Sequence, residues 1–226
     1  MKSKNILIIA AHPDDELLGC AGTVNKFIKN KYEATSLILG EGLGARGKAS
    51  AGKLKTLKDH SKKANKIIGV NHVLFENLPD NMFDSVPLLK ITKIVEKHIL
   101  KLSPDIIFTH FENDLNIDHR LTFSAVMTAC RPQPGFKHPD IYSFEIPSST
   151  DYGDFSLKNA FVPNTYFDIK DEIELKLSAL KEYKTEMRDY PHTRSIEGIN
   201  LLAKYRGLKV GLEFAEAFQL VRKVSN

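Results

Sequence analysis

Seven residues near the start, Asn5–Ala11 (NILIIAA), form an aliphatic and β-branched run that stops abruptly at His12-Pro13-Asp14-Asp15-Glu16. Such a strand has no polar face, so both of its sides must be covered, as in a parallel sheet flanked by helices. The pattern recurs at Asp105–Thr109 (DIIFT), which feeds a second polar turn, His110–His119. Between and after these runs the periodicity predicts helices over about Leu17–Asn30, Ser50–Gly69, Leu88–Leu102 and Arg120–Ala129. Leu54, Leu57, Ala64, Ile67 and Ile68 share one face of the second helix; Leu88, Leu89, Ile91, Ile94, Val95, Ile99 and Leu102 point inward on the third. Further strands are expected at Thr35–Leu39, His72–Phe75 and Ile141–Ile146. Strand–helix alternation to about residue 130 specifies an α/β fold, a mostly parallel sheet with helices on both faces.

After about residue 147 the pattern loosens into a Ser, Thr and Asp-rich loop, a short strand near Tyr166–Ile169, a charged helix over Asp171–Lys184 and an edge or covering strand at Glu213–Val221. With no repeat or linker, residues 1–226 read as one domain whose C-terminal part covers the active-site edge of the sheet.

A chain of 226 residues buries roughly 70% of its unfolded surface, so it needs neither disulfide nor metal to fold. Any metal is then there for chemistry. Cys20 and Cys130, far apart and read as small core residues, suit a reducing, cytoplasmic setting. No apolar run approaches the ~20 residues of a membrane span, and the run ending at Ala11 is too short for a signal peptide. A net charge of +4 demands no nucleic acid, and the lysines of the Ser50–Gly69 helix read as a solvated face. Assembly into a homo-oligomer stays open.

Ligands of open α/β sheets bind outside the carboxyl ends of the strands, where both polar turns fall. An imidazole and three carboxylates at one point are costly to fold unless a cation or ligand uses them. Alone, Asp14-Asp15-Glu16 also suits a helix N-terminus with acidic first-turn residues. The second cluster, Asp114-Leu115-Asn116-Ile117-Asp118-His119, favours chemistry. On neighbouring strands, His12, one carboxylate of the first turn and His119 converge on one ion, a recurrent catalytic zinc set.

His12-Pro13-Asp14-Asp15-Glu16, with Ala10-Ala11 before it and Leu17-Leu18-Gly19-Cys20-Ala21-Gly22-Thr23 after it, resembles the signature of the LmbE-like (PIG-L) family of zinc-dependent N-deacetylases. Asp118-His119-Arg120 resembles that family's second metal motif. Leu78-Pro79-Asp80-Asn81, Pro191-His192-Thr193-Arg194-Ser195 and Ala215-Glu216-Ala217-Phe218 resemble segments of bacterial members, so the likeness runs along nearly the whole chain. The resemblance implies a Rossmann-like fold, one divalent ion (usually Zn2+), and removal of the N-acetyl group from an N-acetylated amino sugar of the N-acetylglucosamine type. It makes His12, Asp15 and His119 the metal ligands and Asp14 the general base.

Where many members carry a histidine three positions before the last metal histidine, this chain has Asn116. An amide can donate to an oxyanion but cannot act as a protonated acid, so either the role has moved or the chemistry leans harder on Asp14 and the metal. His192 is the favoured replacement, because it resembles a late family histidine reaching the site from a distant loop; His110, ending the strand before the second turn, is the other. His60, His72, His98 and His138 have no comparable context. Arg46, in a pliable glycine-rich loop, is expected to contact substrate, as are Asp114 and Asn116; Asp118 is expected to hold a neighbouring side chain. Arg194 and Arg206 read more readily as structural partners of acids such as Glu213 and Glu216 than as an anion site. An amidase acting on a non-sugar amine is the alternative. A nucleotide-binding or interaction module lacks support, since neither Gly-x-Gly-x-x-Gly nor a Walker A pattern is present.

Overall fold

The computed structural model describes residues 3–44, 50–153, 156 and 159–224. Its elements run β1 (Lys4–Ala10), α1 (Asp15–Lys29), β2 (Tyr32–Gly40), α2 (Ala51–Ile67), β3 (His72–Leu78), α3 (Leu88–Leu102), β4 (Ile106–His110), α4 (Ile117–Ala129), β5 (Asp140–Phe144), β6 (Thr165–Asp168), α5 (Ile173–Leu180), α6 (Ile196–Leu208) and β7 (Ala215–Arg222). The strands form one sheet in the order β3-β2-β1-β4-β5-β7-β6. It is parallel from β3 to β5, and β7 is antiparallel to both of its neighbours.

Alternation along β1 splits the core in two. Ile6 and Ile8 face a layer built from Leu17, Leu18 and Val24 of α1, Leu57 of α2, Leu177 and Leu180 of α5 and Ile199 of α6. Leu7 and Ile9 face Ile91, Val95 and Ile99 of α3 and Ala125, Val126 and Ala129 of α4. This is the two-sided cover that an all-apolar strand requires. The α/β architecture with a mostly parallel sheet is thus present, and the segment from α5 to β7 packs over the α1 face. Cys20 and Cys130 are both free and buried. Among the described residues, no helix is long and apolar enough to cross a membrane.

Four local expectations need correction. The final strand is not at an edge: β7 inserts between β5 and β6, so Ala215–Phe218 is buried on both faces while the rest of the strand is only part-covered. Leu88 and Leu89 do not point inward but stand exposed in the first turn of α3, ahead of the inward stripe that begins at Ile91. The charged helix after residue 170 is shorter than its periodicity suggests, ending at Leu180. Helix α6 has no counterpart in the sequence pattern, because Leu201, Tyr205 and Leu208 expose apolar surface and blur its amphipathicity.

For function, the decisive pairing is β1 with β4. Ile6, Leu7 and Ile8 lie opposite Ile106, Ile107 and Phe108 in parallel register, so the two polar turns leave the sheet side by side.

Candidate metal centre and active site

The first turn is held by its backbone. Asp14 precedes α1 with φ of 115°, a region that non-glycine residues rarely occupy and that costs about 1–3 kcal/mol. Its carboxylate makes no capping bond; the Asp14 carbonyl instead accepts from Leu17 and Leu18 N–H at 3.0 and 2.9 Å. The helix-cap use of these acids is therefore not what fixes the turn. Asp15 Oδ2 accepts from His12 N–H (2.9 Å) and Glu16 Oε2 from Asp14 N–H (2.9 Å). Fully buried Glu16 also accepts from Asn65 Nδ2 at 2.7 Å and from the Tyr183 hydroxyl. Burial pushes its carboxyl up to about 7 against those hydrogen bonds.

The second turn is pinned by side chains. Asn116 is the N-cap of α4: its Oδ1 accepts from Asp118 N–H at 2.8 Å, and its Nδ2 donates to Asn81 Oδ1 at 2.9 Å. Asp118 accepts from Asn81 and Phe83 N–H at 2.7 and 2.9 Å, and its Oδ2 lies 2.9 Å from His12 Nε2. Asp114 receives the Ser149 hydroxyl, the Thr150 hydroxyl (2.5 Å) and Asn116 N–H (2.9 Å), and lies 3.0 Å from His119 Nδ1. Helix α4 starts at Ile117, three residues earlier than its apolar pattern indicates, which sets Asp118 and His119 in its first turn.

His12, Asp15 and His119 are buried or nearly so, and each offers a donor atom within 4.8 Å of the others. His119 Nε2 lies 3.3 Å from Asp15 Oδ2 and, buried, makes no hydrogen bond among the described residues. With Asp118 at Nε2 of His12, its Nδ1 turns to Asp15 at 3.4 Å. Two imidazole nitrogens and a carboxylate, each imidazole braced by a second acid, form a donor set that fits a divalent ion of the zinc type. His12, Asp80 and Asp118 also converge within 4.8 Å. Both oxygens of Asp118 are already engaged by backbone N–H groups, so it braces His12 in that trio.

The electrostatics separate the acids. Burial drives the Asp14 carboxyl well above its usual range, with the charges of Asp15, Glu186 and Glu16 adding to it and Arg194 opposing. Burial would also raise Asp15, but the charges of His119 and His110 take it well below. Asp114, likewise buried, is pulled down to about 2 by the charge and hydrogen bond of His119 and by the two hydroxyls. Burial would lower the imidazoles, yet their carboxylate partners lift His12 to about 10 and His119 to about 9.

A pocket opens over this cluster, its walls including Asp14, Asp80, Asn116, Ser149, Glu186 and Arg194. Gly42 also lines it with φ of 79°; a Cβ there would stand 2.6 Å from Pro13 Cδ. The structure thus brings together His12, Asp14, Asp15, Asp114, Asn116, Asp118 and His119. His110 sits behind the cluster, fully buried, with Nε2 accepting from Ala11 N–H at 2.8 Å and its ring stacked 3.9 Å from that of His119. Burial takes its imidazole well below the usual range. His192 is not among the described pocket-lining residues; its Nδ1 accepts from Arg194 N–H at 3.0 Å. Arg46 lies outside the described residues.

Sequence reasoning missed Glu186, Tyr183 and Asn65 at the site, gave Asp80 only as part of a resembling segment, and put a structural reading of Arg194 ahead of a place in an anion site. The arginine pairings also need correction. Arg194 reaches Asp14 Oδ2 at 3.0 Å, and Arg206 grips Glu145 at 2.7 and 2.6 Å. Glu216 instead pairs with buried Lys176 (2.6 Å) and accepts from Gly22 and Thr23 N–H, while Glu213 pairs with Lys170 at the surface.

The profile of the PIG-L family, described as GlcNAc-PI de-N-acetylase, matches residues 7–130, more than half of the chain. The chain belongs to the PIG-L family. The uncharacterized deacetylase YaiS of Escherichia coli (strain K12) is 25% identical over 81% of this chain and 92% of its own length. The diacetylchitobiose deacetylase of Thermococcus kodakarensis is 26% identical, covering 96% of this chain and 83% of that protein. The crystal structure of the conserved protein TT1542 from Thermus thermophilus superimposes with a TM-score of 0.77 at 20% identity, covering 98% of this chain and 96% of that one. The family and these relatives indicate a deacetylase, a hydrolase.

Proposed function

We propose that this PIG-L chain is a zinc-dependent N-deacetylase acting on a small N-acetylated amino sugar of the N-acetylglucosamine type. The observation that carries the reading is the convergence of His12, Asp15 and His119 beside the strained Asp14, lining one pocket. The sugar class is supported by the family's description and by the Thermococcus relative's diacetylchitobiose. Bound by His12, Asp15 and His119, the ion supplies a Lewis acid that acidifies water and polarises the amide carbonyl. Asp14 accepts the proton of the attacking water and returns it to the departing amine nitrogen. Asp118 and Asp114 brace His12 and His119 and keep their rings aimed at the cluster. His110 packs behind His119 as a support. Asn116, Asp114 and Arg46 are assigned to substrate contact: Asn116 lines the pocket, and Asp114 meets it through Ser149.

The test is to purify the protein, measure bound metal, and assay amine and acetate release from N-acetylglucosamine and diacetylchitobiose with and without chelator. Stoichiometric zinc and chelator-sensitive release are expected. Protein that binds no divalent metal, or hydrolyses these amides equally well in chelator, would sink the proposal.

A further inference from the structure

Segment 181–195 crosses from α5 to α6 without regular secondary structure, yet it is closely tied to itself. His192 N–H donates to Asp189 O (3.1 Å), Ser195 N–H to His192 O (2.9 Å), and Ser195 Oγ caps α6 through Gly198 N–H (2.9 Å). A Cβ at Gly198 would stand 2.5 Å from Thr193 O, so the first turn of α6 presses directly on this loop. Within it, His192 Nδ1 accepts the backbone N–H of Arg194 at 3.0 Å. What the loop delivers to the pocket is the Arg194 guanidinium, with Nη1 3.0 Å from Asp14 Oδ2 and Nη2 3.4 Å from Pro147 O. The Arg194 side chain is 17% exposed and that of Asp14 is 3% exposed, so this pair is little screened by solvent.

Building on the deacetylase reading above, we propose that Arg194 is the positioning residue of the general base, and that His192 serves the site only by fixing Arg194. The other histidine candidate for the role left by Asn116 is committed elsewhere: His110 lies behind the cluster with Nε2 on Ala11 N–H. Among the described residues lining the pocket, Arg194 is the one Lys or Arg side chain. A guanidinium does not give up its proton near neutrality, so it cannot be the acid itself. It can hold Oδ2 of Asp14 and leave Oδ1 to move the proton. In the balanced step, the water oxygen bonds to the amide carbon and the water proton passes to Asp14 Oδ1. As the C–N bond breaks, that same proton goes to the leaving nitrogen, giving the amine and acetic acid; the second proton of the water, still on the acid, passes to the amine on release, leaving acetate and ammonium. The fixed orientation matters because a base displaced by about 1 Å costs about 10²-fold in rate.

The experiment compares wild type, Arg194→Ala, Arg194→Lys, His192→Ala and the Arg194→Ala/His192→Ala double variant for kcat, KM, zinc content and circular dichroism. Arg194→Ala should lose about 10²-fold in kcat, with KM and zinc little changed. Millimolar guanidinium chloride should restore part of that loss. His192→Ala should lose less, and should cost nothing further in the Arg194→Ala background. If Arg194→Ala loses its native dichroism, Arg194→Lys carries the test: kcat falls at unchanged KM if the orientation of Asp14 is at stake. A rise in KM at intact kcat in either variant overturns the proposal, as does a further drop when His192→Ala is added to Arg194→Ala. An inactive wild type would instead overturn the deacetylase reading, so the two failures are distinct.

Discussion

The two polar turns lie side by side at the ends of paired strands, yet they hold their acids in opposite ways. After β1, Asp14 sits in a left-handed backbone conformation, buried beside Asp15 and Glu16, with its carboxyl pushed up. After β4, Asp114 is surrounded by hydroxyls, an N–H and an imidazole, which keep it ionised to about 2. One turn buries its carboxylate among like charges with Arg194 as its counter-ion; the other gives each oxygen of Asp114 a hydrogen-bonding partner. The acids of the two strand ends thus differ in their surroundings, and sequence composition alone, three acids in each turn, does not show which is which.

Removing a ligand from the reactive turn should have the largest effect. Asp15→Ala is expected to abolish zinc retention and turnover together, read by metal analysis after gel filtration and by acetate release. Asp14→Asn should separate the two, keeping zinc while kcat falls about 10²–10⁴-fold; near-wild-type turnover would remove Asp14 as base. On the scaffolding side, Asp118→Asn should weaken zinc binding by about 10–100-fold in a competition titration, with kcat at saturating zinc much less affected. The smallest change is Ser149→Ala, which deletes one of the bonds to Asp114. It should cost about 1 kcal/mol in urea unfolding and leave kcat within a few-fold. A Ser149→Ala loss as large as that of Asp14→Asn would erase the division between the turns.

The buried strands and the first four helices were legible because the residues that form them are also the residues they bury. The apolar run of β1 demanded a two-sided cover, and the covering stripes of α1 to α4 lie within the next 120 residues. The position of β7 was not legible, since its insertion between β5 and β6 depends on partners 47 to 81 residues earlier. Helix α6 carries Gly198 and Gly207 and an exposed apolar side, and its Ser195 cap was the one local signal available. At the site, the histidines and acids of both turns were readable from spacing after strands. Arg194 and Tyr183 were not, because their partners Asp14 and Glu16 lie 180 and 167 residues away. The late Pro-His-Thr-Arg-Ser segment drew attention to its histidine, while the fold hands its arginine to the pocket.

The positive φ of Asp14 sets two stability effects against each other. A glycine at that position would relax the backbone, yet it would also remove the ion pair that holds the Arg194 guanidinium over the pocket. Thermal unfolding of Asp14→Gly therefore weighs the strain stored in the first turn against the electrostatic tie between the two ends of the chain.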